Sequence, residues 1–515
     1  MESVLSSLRL LQEESHITDI SSLDDELVAK VTETLQQAIV LAKAKPDPGS
    51  IPETLLLLAR DAADPDLAIM ALYTLESFLY DPALHSLVSE RFLAALVSRC
   101  QSATSHKLKR QLAQLISLLS PQVAAAVEES GAIEFVVGLL SCRDQEKLVE
   151  AGVLAVYALA QHEAFVPLVL EHNVVGNVLV ILEDMSSFSV FKQNVLAVLV
   201  VLSGTVLGSE VMIEQGAADE LLQVLRECPV NQWKNMALLM FGNMGQTETL
   251  ACKILNLKGF KEEFTKILAF ESGDCELTSS ALNTLRNLAL FAPSDSFAFT
   301  DGFMILLLQL IETGHKAVSK EKNSISLNLL LNSVVCSRTL LKRKPNFADL
   351  IHQKEVTQLL VKLRSKYSEE AIKYEIARTI CVFACQKALS HEVVTNGGLG
   401  FVTEMIESKF EVLQNEGMEA LNSLCQHEPV ELCSDPKFLR TLRLLLHPEN
   451  TEAKILMGLQ CADMVLKVAS GKPASTLLKS LSGSTSGDSL IEPFALHSNA
   501  GISACVASIK SKAKK

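Results

Sequence analysis

The stretch GAADELLQVL, residues 216–225, recurs along the chain with a regular period. It begins with glycine and continues with apolar residues at the i, i+3, i+4 and i+7 spacing of an amphipathic helix. Comparable stretches are GAIEFVVGLL from Gly131, NVVGNVLVIL from Asn173, GFKEEFTKIL from Gly259, GFMILLLQLI from Gly302 and GGLGFVTEMI from Gly397. The six starts differ by 42, 43, 43, 43 and 95 residues, and KEVTQLLVKL from Lys354 divides the last interval into 52 and 43. This period indicates a repeat protein in which one repeat has about nine extra residues.

A small residue in the helix that follows each stretch keeps the same period. These marker alanines are Ala71, Ala113, Ala155, Ala197, Ala237, Ala281, Ala377, Ala420 and Ala462. A bulky side chain there would force neighbouring helices apart. Aromatic residues are only 5% of a chain that is 48% hydrophobic, which is typical of stacked helices with aliphatic cores. We therefore predict an all-α fold, an armadillo-repeat superhelical solenoid of about ten repeats.

Composition along the chain predicts three segments. Residues 1–50 are expected to form a helical cap, with 26–43 as its best helix and Pro46, Pro48 and Pro52 separating it from the array. Residues 51–471 hold the repeats. Residues 472–515 are rich in Ser and Gly and then in Lys, so we expect a mostly disordered tail.

Several function classes are disfavoured. The net charge of -14 argues against sequence-independent binding to nucleic acid or to an anionic membrane. The longest apolar stretch, Val195–Leu207, is too short to span a bilayer. No nucleotide-binding, zinc-protease or CxxC pattern occurs among the motifs, so we expect no catalytic residues, no cofactor, no metal and no enzyme. We expect a cytoplasmic monomer without stable membrane insertion, and nuclear or organelle-associated pools are also compatible.

Polar residues recur six positions after several marker alanines. We expect the last helix of each repeat to line the concave face, where such residues could bond an extended peptide. The predicted partner-binding residues are Gln161, Ser203, Asn243, Asn287 and Asn332. The alternative is that these side chains bond within the array and only stabilise it. Trp233 is a candidate partner anchor, although a single Trp more often packs in a core.

Charge is distributed unevenly. Residues 1–300 contain 38 acidic and 20 basic residues, whereas residues 301–400 contain 9 acidic and 14 basic ones. This polarity predicts that a basic partner lies along the acidic part of the molecule. The alternative is that the charges are solvated outer faces that keep the protein soluble.

Two stretches resemble one family. TSSALNTLRNLALF (278–291) and VVTNGGLGFVTEMIESKFEVLQNEGMEAL (393–421) are similar to the SmgGDS family of armadillo proteins, the small-GTPase GDP dissociation stimulators. The resemblance covers about residues 90–470. It implies a scaffold that binds Rho- and Rap-type small GTPases through their basic, prenylated C-termini, including the prenyl group. It also implies that the scaffold promotes GDP release and acts as a chaperone for the GTPase.

The chain departs from that family in one third helix, TICVFACQK, where Val382, Phe383 and Cys385 replace charged or His residues. This difference puts exchange activity in more doubt than binding. Two other function classes stay open. One is a peptide-binding adaptor, which normally adds a regular series of Trp residues where this chain has only Trp233. The other is a co-chaperone scaffold without exchange activity.

Overall fold

Apolar periodicity produces short helices throughout the computed structural model, which describes residues 33, 34, 37, 51–62, 64–182, 190–293, 295–483 and 489–512. The described residues are helical without β-strands, so the predicted all-α class is confirmed. The cap predicted for residues 1–50 lies outside the described residues except for three positions. The chain divides into two compact units, Met1–Leu257 and Lys258–Lys515.

The first unit consists of helical repeats. Its helices are α1 (Ile51–Asp61), α2 (Pro65–Leu79), α3 (Glu90–Ser102), α4 (His106–Ser117), α5 (Ala124–Glu129), α6 (Ala132–Leu139), α7 (Glu146–Ala160), α8 (Val166–Glu171), α9 (Val174–Leu182), α10 (Val190–Ser203), α11 (Val206–Glu214), α12 (Ala217–Glu227), α13 (Asn231–Met244) and α14 (Glu248–Leu255). The last, longer helix of each repeat, here called the third helix, contacts the third helix of the next repeat. This row is α2, α4, α7, α10 and α13.

The second unit continues the pattern within itself. Its helices are α15 (Phe260–Leu268), α16 (Cys275–Phe291), α17 (Asp301–Lys320), α18 (Ser324–Arg343), α19 (Ala348–Gln353), α20 (Val356–Lys366), α21 (Glu370–Ala384), α22 (Lys387–Thr395), α23 (Leu399–Ile406), α24 (Glu411–His427), α25 (Pro429–Ser434), α26 (Pro436–Leu445), α27 (Glu452–Val468), α28 (Gly471–Ser482) and α29 (Ala500–Lys512). Its third helices are α16, α18, α21, α24 and α27, with α29 packed on α27. The ten third helices of the described residues agree with the predicted number of repeats.

The residues that start the recurring stretches form the turn before a second helix. Gly131, Asn173, Gly216, Gly259 and Gly397 all have positive φ, between 55° and 87°. Glycine adopts this left-handed conformation without the steric cost of a Cβ, which explains why it recurs at this position.

The irregular repeat is explained by longer helices. Gly302 lies inside α17 rather than at a left-handed turn, and α17 and α18 contain 20 residues each. The corresponding helices α12 and α13 contain 11 and 14 residues. The extra residues therefore extend both helices of one hairpin.

The marker alanines lie where third helices pack. All are buried except Ala197, which is half-buried. Gly417 shows how tight the packing is, because a Cβ there would lie 2.9 Å from the backbone nitrogen of Ile406 on α23. The third helices thus press one face against the second helices and leave the opposite face open to solvent.

The described part of the tail differs from the predicted disorder. Helix α29 buries Ile502, Val506 and Ile509 against the end of the array, and α28 buries two leucines. These three residues have the spacing of one helical stripe, which the surrounding Ser, Ala and Lys obscure in the overall composition. Asp463 of α27 accepts hydrogen bonds from Ser508 Oγ at 2.6 Å and Lys512 Nζ at 2.7 Å. The prediction of disorder is therefore corrected for these helices.

One helix of the described residues, α18, is long and apolar enough to cross a bilayer by length and composition, and the pair 146–160 and 163–171 passes the same test with a 116° bend. In α18, 61% of the apolar window is buried within the second unit. Core helices of globular proteins have this character too, so the finding is weak evidence for a membrane span.

Candidate functional site on the open face of the third helices

Two of the predicted binding residues are joined across a repeat boundary in the first unit. Asn243 Nδ2 on α13 donates to Ser203 Oγ on α10 at 3.2 Å. Gln246 Nε2 donates to the backbone oxygen of Ser203 at 2.9 Å. Ser203 is fully buried, and its hydroxyl donates to the backbone oxygen of Val200. The structure therefore places Ser203 inside the repeat interface, because its short side chain cannot reach past the neighbouring helix.

Gln161 differs from that pair because it is exposed. It is the C-terminal capping residue of α7, where its backbone N–H bonds to the carbonyl of Tyr157. Trp233 on α13 is buried and lies in the core, so it is not an exposed partner anchor.

The predicted residues of the second unit also divide between two roles. Asn332 Nδ2 on α18 donates to Ser279 Oγ on α16 at 2.7 Å, which is a second bond between adjacent third helices. Asn287 on α16 is half-buried, and its Oδ1 accepts from the neighbouring Arg286 at 3.2 and 3.3 Å. Asn332 thus stabilises the array, whereas Asn287 has, among the described residues, only its neighbour Arg286 as a hydrogen-bond partner.

Charged residues tie α18, α21 and α24 together. Arg338 pairs with Glu375, and Arg378 Nε and Nη2 each lie 2.9 Å from a different oxygen of Glu416. Lys342 Nζ lies 3.4 Å from Glu416 Oε1. Burial alone would raise the pKa of the Glu416 carboxyl, but the hydrogen bonds and charges of Arg378 outweigh burial and lower it. We call these five residues the ion network.

The ion network gives a structural role to part of the motif that carries the family resemblance. Glu416 is the last residue of QNE in the 393–421 stretch. Phe383, at the departure from the family pattern, is fully buried, and Val382 is also buried. These apolar residues fill the core of the α21 repeat rather than its open face.

The open face of α24 carries a stripe of polar side chains that do not hold the repeats together. Their spacings of four, four, three and four residues place them along one side of a helix about 22 Å long. In the described part of the chain, none of these side chains has a hydrogen bond or an ion pair. We call this set the α24 stripe: Glu411, Asn415, Glu419, Asn422 and Gln426. Phe410 and Val412 at its start are 65% and 67% exposed, so exposed apolar surface lies next to the polar stripe.

The third helices of the first unit are not acidic. The five third helices of the first unit contain four acidic and six basic residues, so they do not carry the acidic excess of residues 1–300. Helix α24 contains three glutamates and neither Lys nor Arg. The residues of the stripe were not among the predicted binding residues, although their i, i+4, i+8 polar spacing is readable in the sequence.

Two buried thiols are poorly suited to nucleophilic attack. Burial raises the pKa of the Cys336 and Cys100 thiols to about 12, which suppresses the nucleophilic thiolate. His391, Glu428 and Glu431 offer ligand atoms within 4.8 Å of one another and could hold a metal ion. However, His391 Nδ1 already lies 3.2 Å from Glu428 Oε2, and Ser390 donates to the other oxygen of Glu428.

Comparison with known proteins supports the fold. No family model matches the chain, and no curated protein matches it. A crystal structure of an engineered protein is similar with a TM-score of 0.61 and 18% identity, over 81% of this chain and 98% of that chain. A structure from work on a phosphorylation switch that controls the interaction between cadherin and β-catenin has a TM-score of 0.54 and 15% identity, over 96% of this chain and 97% of that chain. At these identities the likeness shows the fold alone, an all-α helical-repeat fold.

Proposed function

We propose that this protein binds small GTPases that carry a basic, prenylated C-terminus and that the α24 stripe receives the basic segment. The observation that carries the proposal is the stripe itself, with two exposed carboxylates and three carboxamides that have no partner within the described residues. Carboxylates attract Lys and Arg, and carboxamides bond the backbone of an extended segment. The resemblance of residues 393–421 to the SmgGDS family supports the class of partner.

We further propose the two activities of that family, stimulation of GDP release and chaperoning of the prenylated GTPase. A scaffold can stimulate release without catalytic groups of its own if it binds the nucleotide-free GTPase more tightly than the GDP-bound form. The exposed Phe410 and Val412 supply apolar surface beside the stripe, which suits a partner with a lipid group next to its basic segment.

A pull-down followed by nucleotide release tests the function. The immobilised chain is incubated with Rho- and Rap-type GTPases, each prenylated and unprenylated, and release of a fluorescent GDP analogue is then measured for every GTPase that binds. The proposal expects tighter binding of prenylated forms with a Lys/Arg-rich C-terminus, and faster release from at least one of them. If GTPases with and without basic C-termini bind equally or not at all, the proposal is wrong.

A charge-neutralising pair tests the location. Glu411→Gln/Glu419→Gln removes both exposed carboxylates of the α24 stripe, and we expect affinity for the GTPase to fall roughly three- to tenfold at low salt. The matched control is Glu262→Gln/Glu271→Gln, which removes two exposed glutamates elsewhere in the second unit. Equal losses in both variants would indicate a general charge effect rather than the stripe.

The second candidate function is a peptide-binding adaptor without exchange activity. The carboxamides of Asn415, Asn422 and Gln426 favour it, because such groups can hold a peptide backbone whether or not the peptide belongs to a GTPase. Binding of an isolated basic peptide as tightly as the whole GTPase, without any effect on GDP release, would favour the adaptor.

A further inference from the structure

A cleft on the second-helix side of the second unit has the opposite charge to the rest of the protein. It lies between α20, α23 and α26 and has a volume of about 670 Å³. Its charged lining residues are Lys362, Arg364, Lys437, Arg440, Glu404 and Glu407. These groups sum to +2, in a chain whose net charge is -14. The cleft is separate from the α24 stripe, so this inference goes beyond the proposed function.

Two of the four cations have no anionic partner in the part of the chain that the structure describes. Lys362 has no ion pair among the described residues, and Lys437 Nζ donates only to the backbone oxygen of Gly397, at 3.3 Å. The arginines are paired: Arg364 Nη2 lies 2.6 Å from Glu404 Oε2, and Arg440 Nη2 lies 3.1 Å from Glu407 Oε1. The unbalanced positive charge therefore comes from two lysines.

The floor of the cleft leaves room for the Lys437 side chain. A Cβ at Gly400 would lie 3.3 Å from Lys437 Nζ, and one at Gly397 would lie 3.6 Å from it. Glycine at both positions leaves the ammonium group room to lie over the backbone and to turn toward a ligand. The Arg364 guanidinium covers the ring of Phe401 at 5.6 Å, and its buried Nε has no acceptor. That arginine therefore has hydrogen-bonding capacity left.

We propose that the cleft binds a phosphorylated serine or threonine side chain of a partner protein. A phosphomonoester carries a charge near -2 at neutral pH, which balances the +2 of the cleft. Its three oxygens can accept from Lys362, Lys437 and one arginine together, whereas a single carboxylate would have to compete with Glu404 and Glu407.

The surroundings favour a peptide over other anions. A flat anionic membrane would approach the glutamates and the acidic surface of the chain together with the cleft, which costs electrostatic energy. A nucleotide base finds no open aromatic face, because Arg364 already covers Phe401. A side chain projecting from a peptide can enter the cleft without either penalty.

Selection from a peptide library tests the proposal without a known partner. The immobilised full chain is incubated with peptides that have random flanks around a fixed central phosphoserine, and with matched libraries that have Ser or Glu at the centre. We expect the phosphoserine library to be retained about tenfold more than the Ser library and more than the Glu library. Millimolar inorganic phosphate should compete with the retained peptides.

Two double variants locate the site. Lys362→Gln/Lys437→Gln should reduce retention about tenfold, because it removes the unpaired charge of the cleft. Lys261→Gln/Lys409→Gln removes two exposed lysines elsewhere in the second unit and should retain peptides like the wild type. Melting curves check that both variants fold.

Three results would overturn the proposal. The first is equal retention of the phosphoserine and Ser libraries. The second is unchanged retention by Lys362→Gln/Lys437→Gln. The third is binding to vesicles of anionic phospholipid that this variant abolishes while peptide retention stays absent, which would assign the cleft to a membrane surface.

Discussion

In the described residues both units join adjacent third helices by neutral hydrogen bonds, and the second unit adds a network of ion pairs. In the first unit the joints include neutral hydrogen bonds, such as Asn243 to Ser203. In the second unit the ion network spans three third helices, and Asp463 fastens the last helix. Shape complementarity is therefore common to the repeats, whereas the polar joints are particular to each boundary. A polar residue on a third helix can either bond to a neighbouring repeat or remain available to bind a partner protein. Its hydrogen-bond partner in the structure distinguishes the two roles.

The largest expected effect follows from breaking the ion network. Glu416→Ala leaves the buried Arg338 and the half-buried Arg378 with one remaining carboxylate of the ion network, Glu375. We expect a loss of about 2–3 kcal/mol in the free energy of unfolding of the second unit, less than for a fully buried pair because solvent reaches part of the network. Urea unfolding followed by far-UV circular dichroism measures the loss.

Two measurements serve as controls for Glu416→Ala. Trp233 is the one tryptophan of the chain and lies in the first unit, so its fluorescence reports that unit alone. The Trp233 transition should not move in Glu416→Ala. Glu419→Ala, on the exposed side of the same helix, should stay within about 0.5 kcal/mol of wild type. A shift of the Trp233 transition as large as that in circular dichroism would show that the units do not differ in this way.

Removing a neutral hydrogen bond between third helices should reduce the free energy of unfolding less than Glu416→Ala does. Asn243→Ala removes the bond to Ser203, whose hydroxyl keeps its bond to Val200, so we expect a loss of about 1 kcal/mol. The variant lies in the same helix as Trp233, and the fluorescence transition should therefore report it. Asn287→Ala, which breaks only a bond to the adjacent Arg286, should change stability by less than about 0.5 kcal/mol.

Lowering the pH should destabilise the second unit more than the first. Burial tends to raise the pKa of Asp463, but hydrogen bonds from Lys467, Lys512 and Ser508 outweigh it and lower that pKa, and Glu416 is lowered in the same way. Their stabilising contributions are complete above the unfolded values near 4 and are lost as pH falls through the lower folded values.

In the first unit, the protonated Glu129 carboxyl donates a hydrogen bond to Glu90, which raises the pKa of Glu129, the opposite direction to the shifts of Asp463 and Glu416. Urea midpoints between pH 6 and pH 3 should therefore fall faster by circular dichroism, which includes the second unit, than by Trp233 fluorescence. Parallel curves would contradict this expectation.

The architecture could be predicted because it depends on local periodicity. Gly131, Gly216 and Gly259 mark left-handed turns in any context, and Ala155 or Ala420 fits wherever third helices approach closely. The joints could not be predicted in the same way, because they depend on contacts about one repeat apart. Arg378 and Glu416 are 38 residues apart, and Asn332 and Ser279 are 53 apart across the elongated repeat.

The binding face was only partly predictable for the same reason. Asn243 and Asn422 have the same side chain on equivalent helices, yet within the described residues Asn243 has a partner in the preceding repeat and Asn422 has none. Opposite charges repeated at a spacing near 38–40 residues, as in Arg364 and Glu404, were the available signal for joints. Polar residues without such a counterpart were the signal for free groups.

Binding measured on two matched variants tests most directly the claim that the α24 stripe of the second unit binds the partner. The probe is an immobilised prenylated small GTPase with a Lys-rich C-terminus. Asn415→Ala/Asn422→Ala should keep the wild-type melting temperature and lose about tenfold in affinity, because two hydrogen bonds of roughly 0.5–1.5 kcal/mol each are removed from the complex. Asn243→Ala should melt at a lower temperature and keep full affinity. The reverse pattern, in which the stripe variant binds normally and Asn243→Ala does not, would contradict the account.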